Sequence, residues 1–327
     1  MEIGSFIELE LRKTQEYYRE EHYPNTNIAR LNCGRTAIWH AFRVLGGSSV
    51  WLPYYLCDCV RNYFIENNIQ VKYYHIDDSF NPVDVDLQND ECMVLVNYFG
   101  VMSYSRMKAL ASKYHHVIID NSQAFFAPPV ENCMNVYSAR KFVGVPDGSY
   151  VIGNHANQYC FEYPQGYSSD TSLFLLQRIE YGCEGKAYIS RCSNEERLEH
   201  EGIKRMSVLT HSLLRSYDYG ETKRKRRENF AVACELFNRI NLLSPEDYYD
   251  ESSVPMVYPL AIKKDNLLDE LLKNKHFQGH WWRYLVDEMN SDSFEYFLSR
   301  YMVPITIDQR YNEKDLLAIK EIVHSVL

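Results

Sequence analysis

Short β-branched runs alternate with stretches of helical periodicity through the first half of the chain. Val50-Trp51-Leu52 reads as a strand ended by Pro53, residues 55–67 as an apolar helix, and 71–76 as a second strand. After a turn-rich segment, 93–96 reads as a buried strand, 105–114 as a helix and 117–119 as another strand; 135–137 and 149–152 follow as strands. This alternation predicts an α/β fold with a mostly parallel, doubly wound sheet. Upstream, residues 5–21 place apolar and charged positions at helical spacing, and Tyr23-Pro24-Asn25-Thr26-Asn27 breaks the pattern. Beyond Asn154 the signal weakens, with helical stretches near 173–179 and 194–211. A helix over 221–240, a strand over 256–262, a helix over 267–273, a strand over 301–305 and a helix over 314–326 predict a smaller α+β unit.

The run Val117-Ile118-Ile119 has the composition of a strand buried on both faces, so Asp120 falls at its C-terminal edge, where open α/β sheets bind ligands. Lys141 lies about twenty residues on, in the connection between two strands. A carboxylate and a lysine so placed are the parts that hold pyridoxal phosphate: the lysine forms a covalent link, and the carboxylate pairs with the protonated ring nitrogen. Gly34 opens an amphipathic helix whose first-turn N–H groups are free to receive an anion. Each residue also has an ordinary reading. Asp120 suits a helix cap, with Gln123 as its partner, or a turn after the strand; Lys141 suits a solvated surface position, and Gly34 a plain helix start.

Length and charge narrow the picture. At 327 residues the chain exceeds the size at which one core usually splits, and we place a large unit at 1–220, including the N-terminal helix, and a small one at 221–327. A net charge of −9 argues against nucleic acid or an anionic membrane as main partner. The basic run Lys223-Arg224-Lys225-Arg226-Arg227 lacks interleaved aromatics and opens a helix, so it reads as a solvated face. The first eight residues have no basic-then-apolar leader and no apolar run reaches eighteen residues, which predicts a cytoplasmic protein. The nine cysteines then read as reduced thiols; Cys57-Asp58-Cys59 has the spacing of neither a zinc knuckle nor a CxxC motif, and no metal site is expected. Gly279, between His276 and His280, argues against a helical metal pair; Trp281 or Trp282 suits either sugar stacking or hydrophobic anchoring.

Taken together, Gly34-Arg35-Thr36-Ala37, the strand-end Pro53, Asn97-Tyr98-Phe99-Gly100, Asp120-x-x-Gln123, Lys141 before Pro146-Asp147-Gly148, Arg226-Arg227-x-Asn229-Phe230, and Val303-Pro304-Ile305 with Asp308-Gln309-Arg310-Tyr311 resemble the DegT-type sugar aminotransferases. The resemblance spans residues 30–325. It implies the aspartate aminotransferase fold, that is, fold type I of the pyridoxal-phosphate-dependent transferases, and pyridoxal 5'-phosphate as cofactor. It further implies an active homodimer and amination of a keto-sugar, nucleotide-linked, with an amino acid such as glutamate as donor, in polysaccharide biosynthesis. Lys141 would carry the cofactor and serve as base, Asp120 would face the ring nitrogen and Gln123 the cofactor. Gly34, Arg35, Thr36 and Ser138 would receive the phosphate. The chain departs from the pattern in four places. Arg35 replaces a threonine, and Val136 replaces a serine five residues before the lysine. Cys57 stands where an aromatic residue stacks on the ring, which passes that role to Tyr55 or Tyr54. The Gly-x-Asn-x-Arg segment is not evident; Gly202-Ile203-Lys204-Arg205 lies nearest its place and lacks the asparagine. The alternatives are a sugar dehydratase of the same fold, disfavoured by the lysine, and a non-catalytic relative that uses the scaffold for binding or regulation.

Overall fold

The computed structural model describes residues 6–327. An eight-stranded sheet forms its centre, in the order β1-β8-β7-β6-β5-β2-β3-β4. The strands are β1 (Ile28–Leu31), β2 (Ser49–Pro53), β3 (Gln70–Ile76), β4 (Pro82–Val83), β5 (Glu91–Val96), β6 (Val117–Asn121), β7 (Met134–Ser138) and β8 (Ser149–Ile152). Pairs β7·β6, β6·β5, β5·β2 and β2·β3 are parallel, whereas β8 runs antiparallel to both β7 and β1, and β4 antiparallel to β3. The C-terminal ends of β1, β2, β3, β5, β6 and β7 therefore share one edge. β5 and β6 are buried at every position, as their uninterrupted apolar runs require.

The sheet is covered by α1 (Gly34–Leu45), α2 (Asp58–Glu66) and α3 (Tyr104–Ala111). Next come α4 (Leu173–Tyr181), α5 (Lys186–His200) and α6 (Val208–Leu214), then α7 (Tyr219–Phe237) and α8 (Leu267–Lys273), and finally α9 (Leu285–Glu288), α10 (Phe294–Tyr301) and α11 (Glu313–Ser325). A second sheet pairs β9 (Val257–Ala261) antiparallel with β10 (Met302–Thr306). Side chains of Ser103, Ser207, Asp218, Ser293 and Asn312 cap α3, α6, α7, α10 and α11. Cys33 and Cys57, which precede α1 and α2 at the functional edge, supply no side-chain cap.

Two expectations need correction. The single helix over 194–211 is split into α5 and α6, because residues 204–206 extend along β1: Asn32 N–H bonds the Lys204 carbonyl at 3.0 Å and Met206 N–H the Arg30 carbonyl at 3.1 Å. The helix over 5–21 is absent among the described residues; Met1–Ser5 lie outside them. Here Thr14, Glu16 and Tyr18 point inward at a period of two, so the segment docks as an extended strap. Thr14 N–H bonds the Arg215 carbonyl at 2.6 Å, and Tyr18 packs among Phe125, Tyr137 and Tyr150.

The strap is fastened by a buried carboxylate. Glu16 receives Arg30 Nε at 3.0 Å and the Tyr150 hydroxyl at 2.8 Å, with His211 Nε2 at 3.2 Å. Burial pushes its pKa up, but hydrogen bonds from His211 and Arg30 outweigh this and hold the carboxyl at about 2. A folded-state value below the ordinary 4.5 contributes stability that is present above pH 4.5 and lost as pH falls towards 2. Glu16→Gln should lower the unfolding free energy at pH 7 by roughly 3 kcal/mol. Urea titrations at decreasing pH should show that deficit shrinking through the same window.

Candidate cofactor site

β6 and β7 pair in parallel with Asp120 opposite Val136 and Asn121 opposite Tyr137, which sets Asp120 at the sheet's functional edge. Its carboxylate is buried; Oδ1 accepts the Ser122 N–H at 2.8 Å, and among the described residues it has no cationic partner. The cap reading of Asp120 does not hold, because no helix follows it: residues 122–133 form turns and irregular chain. Gln123 is buried too, and its Oε1 accepts the Phe99 N–H at 2.6 Å, which leaves its amide nitrogen as the remaining donor. The turn that brings Phe99 there depends on Gly100, at φ 73°, where a Cβ would run into the Gln123 carbonyl and the Met256 backbone.

α1 begins directly against these strand ends. A Cβ added at Gly34 would stand 3.0 Å from Ser122 Oγ and 3.8 Å from Ser138 Cβ. With no cap from Cys33, the first-turn N–H groups of α1 are available beside two buried serines, Ser122 and Ser138. Lys141 ends a short 3-10 turn, Ala139–Lys141, that follows β7. Lys141 is exposed; its Nζ has no hydrogen bond or ion pair among the described residues, and the residue lines a cleft of about 1050 Å³ shared with Cys57, Gln123, Trp281 and Trp282. The turn is held from behind. Phe142 is buried, its carbonyl accepts Gln309 Nε2 at 3.0 Å, and the Arg226 guanidinium lies 4.4 Å from its ring centre. Arg226 donates to the Met256 carbonyl at 2.9 Å and to Gln309 Oε1 at 3.1 Å; burial pulls its pKa down to about 10, so it remains charged at neutral pH. Asp147, ahead of Gly148, receives the Ser207 and Thr210 hydroxyls and thereby ties the start of α6 to the lysine connection.

The side chains of three residues assigned by resemblance turn to other partners, although the Arg35 and Thr36 N–H groups remain in the first turn of α1. The Arg35 guanidinium donates to the Leu198 carbonyl at 2.6 Å and the Glu201 carbonyl at 3.2 Å, and lies over the Tyr63 ring, so it closes the C-terminal end of α5. The Thr36 hydroxyl is fully buried and bonds Asn32 Oδ1 at 2.8 Å. Tyr55 is packed in the core against Tyr98 and edge-on to Trp282 and does not line the cleft, where Cys57 takes the wall instead. The other aromatic wall is Trp281, stacked on Phe99 at 5.5 Å. Sequence reasoning missed the part played by Arg226 and Gln309, although both stood in the segments that carried the resemblance.

No family model matches this chain, and no curated protein matches it by sequence. Solved structures do match its fold. The sugar aminotransferase CalS13 from Micromonospora echinospora aligns over 94% of this chain and 89% of its own at 15% identity, with a TM-score of 0.65. A GDP-4-keto-6-deoxy-D-mannose-3-dehydratase from E. coli, with bound hydrated PLP, covers 93% and 89% at 10% identity and TM-score 0.63. Spr1654 from Streptococcus pneumoniae, a putative sugar aminotransferase in its PMP form, covers 92% and 88% at 13% identity and TM-score 0.63. The chain thus has the type I fold of pyridoxal-phosphate-dependent transferases, with the mixed sheet and helical layers expected.

Because Arg35 serves the end of α5, Arg35→Ala should cost about 1.5–3 kcal/mol of folding stability, the range for hydrogen bonds to charged groups. Faster amide exchange should concentrate at residues 198–203. A change confined to cofactor affinity, with unchanged unfolding, would contradict this placement.

Proposed function

We propose that the protein is a pyridoxal-phosphate-dependent aminotransferase acting on a keto-sugar, nucleotide-linked, with an amino acid such as glutamate as donor. The observation that carries the reading is Lys141 in a cleft with Gln123, its Nζ without a partner among the described residues, near the strand end that buries the Asp120 carboxylate, which has no cationic partner among them, and the uncapped start of α1. These residues fit the cofactor. Gly34, where a Cβ would crowd Ser122 Oγ at 3.0 Å, brings the N–H groups of α1 close to Ser122 and Ser138, a cradle for a phosphate dianion. Sugar aminotransferases and a sugar dehydratase among proteins of this fold support the substrate class.

When bound, pyridoxal phosphate supplies an electron-accepting ring that stabilises negative charge at a substrate carbon. Lys141 Nζ would provide the covalent anchor and could take and return a proton. The Asp120 carboxylate would hold a proton on the ring nitrogen. Gln123, locked by Phe99, orients its amide towards the cleft, and Trp281 with Trp282 walls the cleft with apolar surface that excludes water.

A homodimer belongs to the same reading. On α4 and α5, Leu176, Ile179, Tyr181, Tyr188 and Ile189 are exposed, with Ile179 at 83%, and Phe161 and Val208 add to the apolar surface. Ile179 and Tyr188 also line the cleft, so a second copy on this face would complete its outer wall.

Lys141→Ala should abolish the borohydride-fixed cofactor adduct, read by intact mass, together with turnover, and leave the fold intact by circular dichroism. An adduct in that variant would move the anchor to another lysine. Asp120→Asn should lower turnover by about 10²–10³-fold, the worth of a preorganised electrostatic partner, with a much smaller loss in cofactor affinity by titration. Conversion of the holoprotein to its amine form on adding glutamate separates transamination from dehydration.

A further inference from the structure

Cys57 and Cys59 stand out from the other seven cysteines. Their Sγ atoms are 2.9 Å apart, one residue either side of Asp58, at the point where the chain turns from the end of β2 into α2. Cys57 is the residue that precedes α2, without a side-chain cap, so its sulfur lies beside the positive end of the helix dipole. It lines the cleft together with Lys141, whereas Cys33, Cys92 and Cys133 are buried. A thiol at a helix start beside a lysine, in contact with a second thiol, has the surroundings of a reactive cysteine with its resolving partner. Burial and, less strongly, the Asp58 carboxylate, 3.7 Å from Cys57 Sγ, oppose this. The hydrogen bond from Cys59, helped by the charge of Lys141, outweighs them and holds the Cys57 thiol below its ordinary range, while the bond to Cys57 and burial push Cys59 up. Its place in the cleft wall at the start of α2 suits Cys57 to the role of nucleophile and leaves Cys59 to resolve.

We propose that Cys57 and Cys59 form an oxidation site in the wall of the cleft, closing to a disulfide on reaction with a hydroperoxide. The Cys57 thiolate attacks one peroxide oxygen; the O–O bond breaks, hydroxide leaves and takes up a proton as water, and Cys57 becomes a sulfenic acid. Cys59 sulfur then attacks Cys57 sulfur; the S–O bond breaks and the departing hydroxide takes the Cys59 proton as a second water. Two thiols have lost two electrons, and one peroxide has gained them. The sulfurs need to approach by less than about 1 Å to reach bonding distance. A bridge across a single residue is strained, and strained bridges are readily reduced, so a small thiol reverses the change. Closure removes a thiol from the cleft wall that Cys57 shares with Lys141 and fixes the first turn of α2. The inference rests on the placement of the thiols and not on the proposed activity.

The test uses the full-length protein, hydrogen peroxide, capping with N-ethylmaleimide and tryptic digestion. Cleavage after Arg43 and Arg61 leaves both thiols, and no other, on peptide 44–61. That peptide should lose two hydrogens and both maleimides on the order of tenfold faster than exposed Cys192 is oxidised, and dithiothreitol should restore them. In Cys59→Ser, Cys57 should accumulate as a sulfenic acid trapped by dimedone; in Cys57→Ser, Cys59 should oxidise no faster than Cys192. Labelling of both thiols that persists as long as that of Cys192, or equal peroxide consumption by Cys57→Ser and the unaltered protein, would overturn the proposal.

Discussion

How near the first turn of α1 can come to the ends of β6 and β7 decides what the rest of the chain is able to do. A Cβ at residue 34 would stand 3.0 Å from Ser122 Oγ, close enough that the serine would have to shift, so glycine lets the helix start lie tight against the strand ends. The parallel strands make that approach useful, because they bring their C-terminal ends to one edge and α1 returns from the same edge after β1. Asp120 is carried there by the pairing of β6, with no choice of loop conformation involved. Lys141 arrives differently, in the return from β7 to the antiparallel β8, and a connection that short keeps the lysine within reach of the strand ends.

A loop that carries chemistry has to be held by something other than its own backbone. Here the support comes from three directions: Gln309 on the Phe142 carbonyl, the Arg226 guanidinium over the Phe142 ring, and Asp147 on the start of α6. Burial pushes the Asp147 pKa up, although hydrogen bonds from Thr210 and Ser207 draw it down. Arg226 spends its donors on carbonyls and on Gln309, so in an acidic protein this cation works as a bracket and leaves the charge in the cleft to Lys141 and its neighbours.

Much of this was legible in the sequence because buried parallel strands need continuous apolar runs, and the residue after such a run is at the edge by construction. The edge position of Asp120 was read in that way, and Lys141 was read into the connection that follows the strand after it. The extended strap was not, since Glu16, Tyr17 and Tyr18 satisfy a helical pattern as well as an alternating one, and only docking against Tyr137 and Tyr150 decides between them. Arg35 and Tyr55 were misplaced for a related reason. Their backbones are where the pattern puts them, but their side chains answer to partners 163 residues or more away, Arg35 to Leu198 and Glu201 and Tyr55 to Trp282, and local spacing carries no record of those.

The short stretch 204–206 has a consequence for the behaviour of the protein in concentrated solution. It occupies the outer side of β1, while the opposite side of the sheet ends in a two-residue β4 that begins with Pro82, a residue with no N–H to offer. The β1 margin therefore presents no long open ladder to another chain and is guarded against edge-to-edge accretion, whereas β4 covers β3 only at His75 and Ile76. That guard is assembled from distant parts, residues 204–206 on one side of β1 and the strap fastened to Arg30 on the same strand. During folding, β1 stays a sticky margin until both have docked, and the interval before they do is when this chain is most exposed to its own copies.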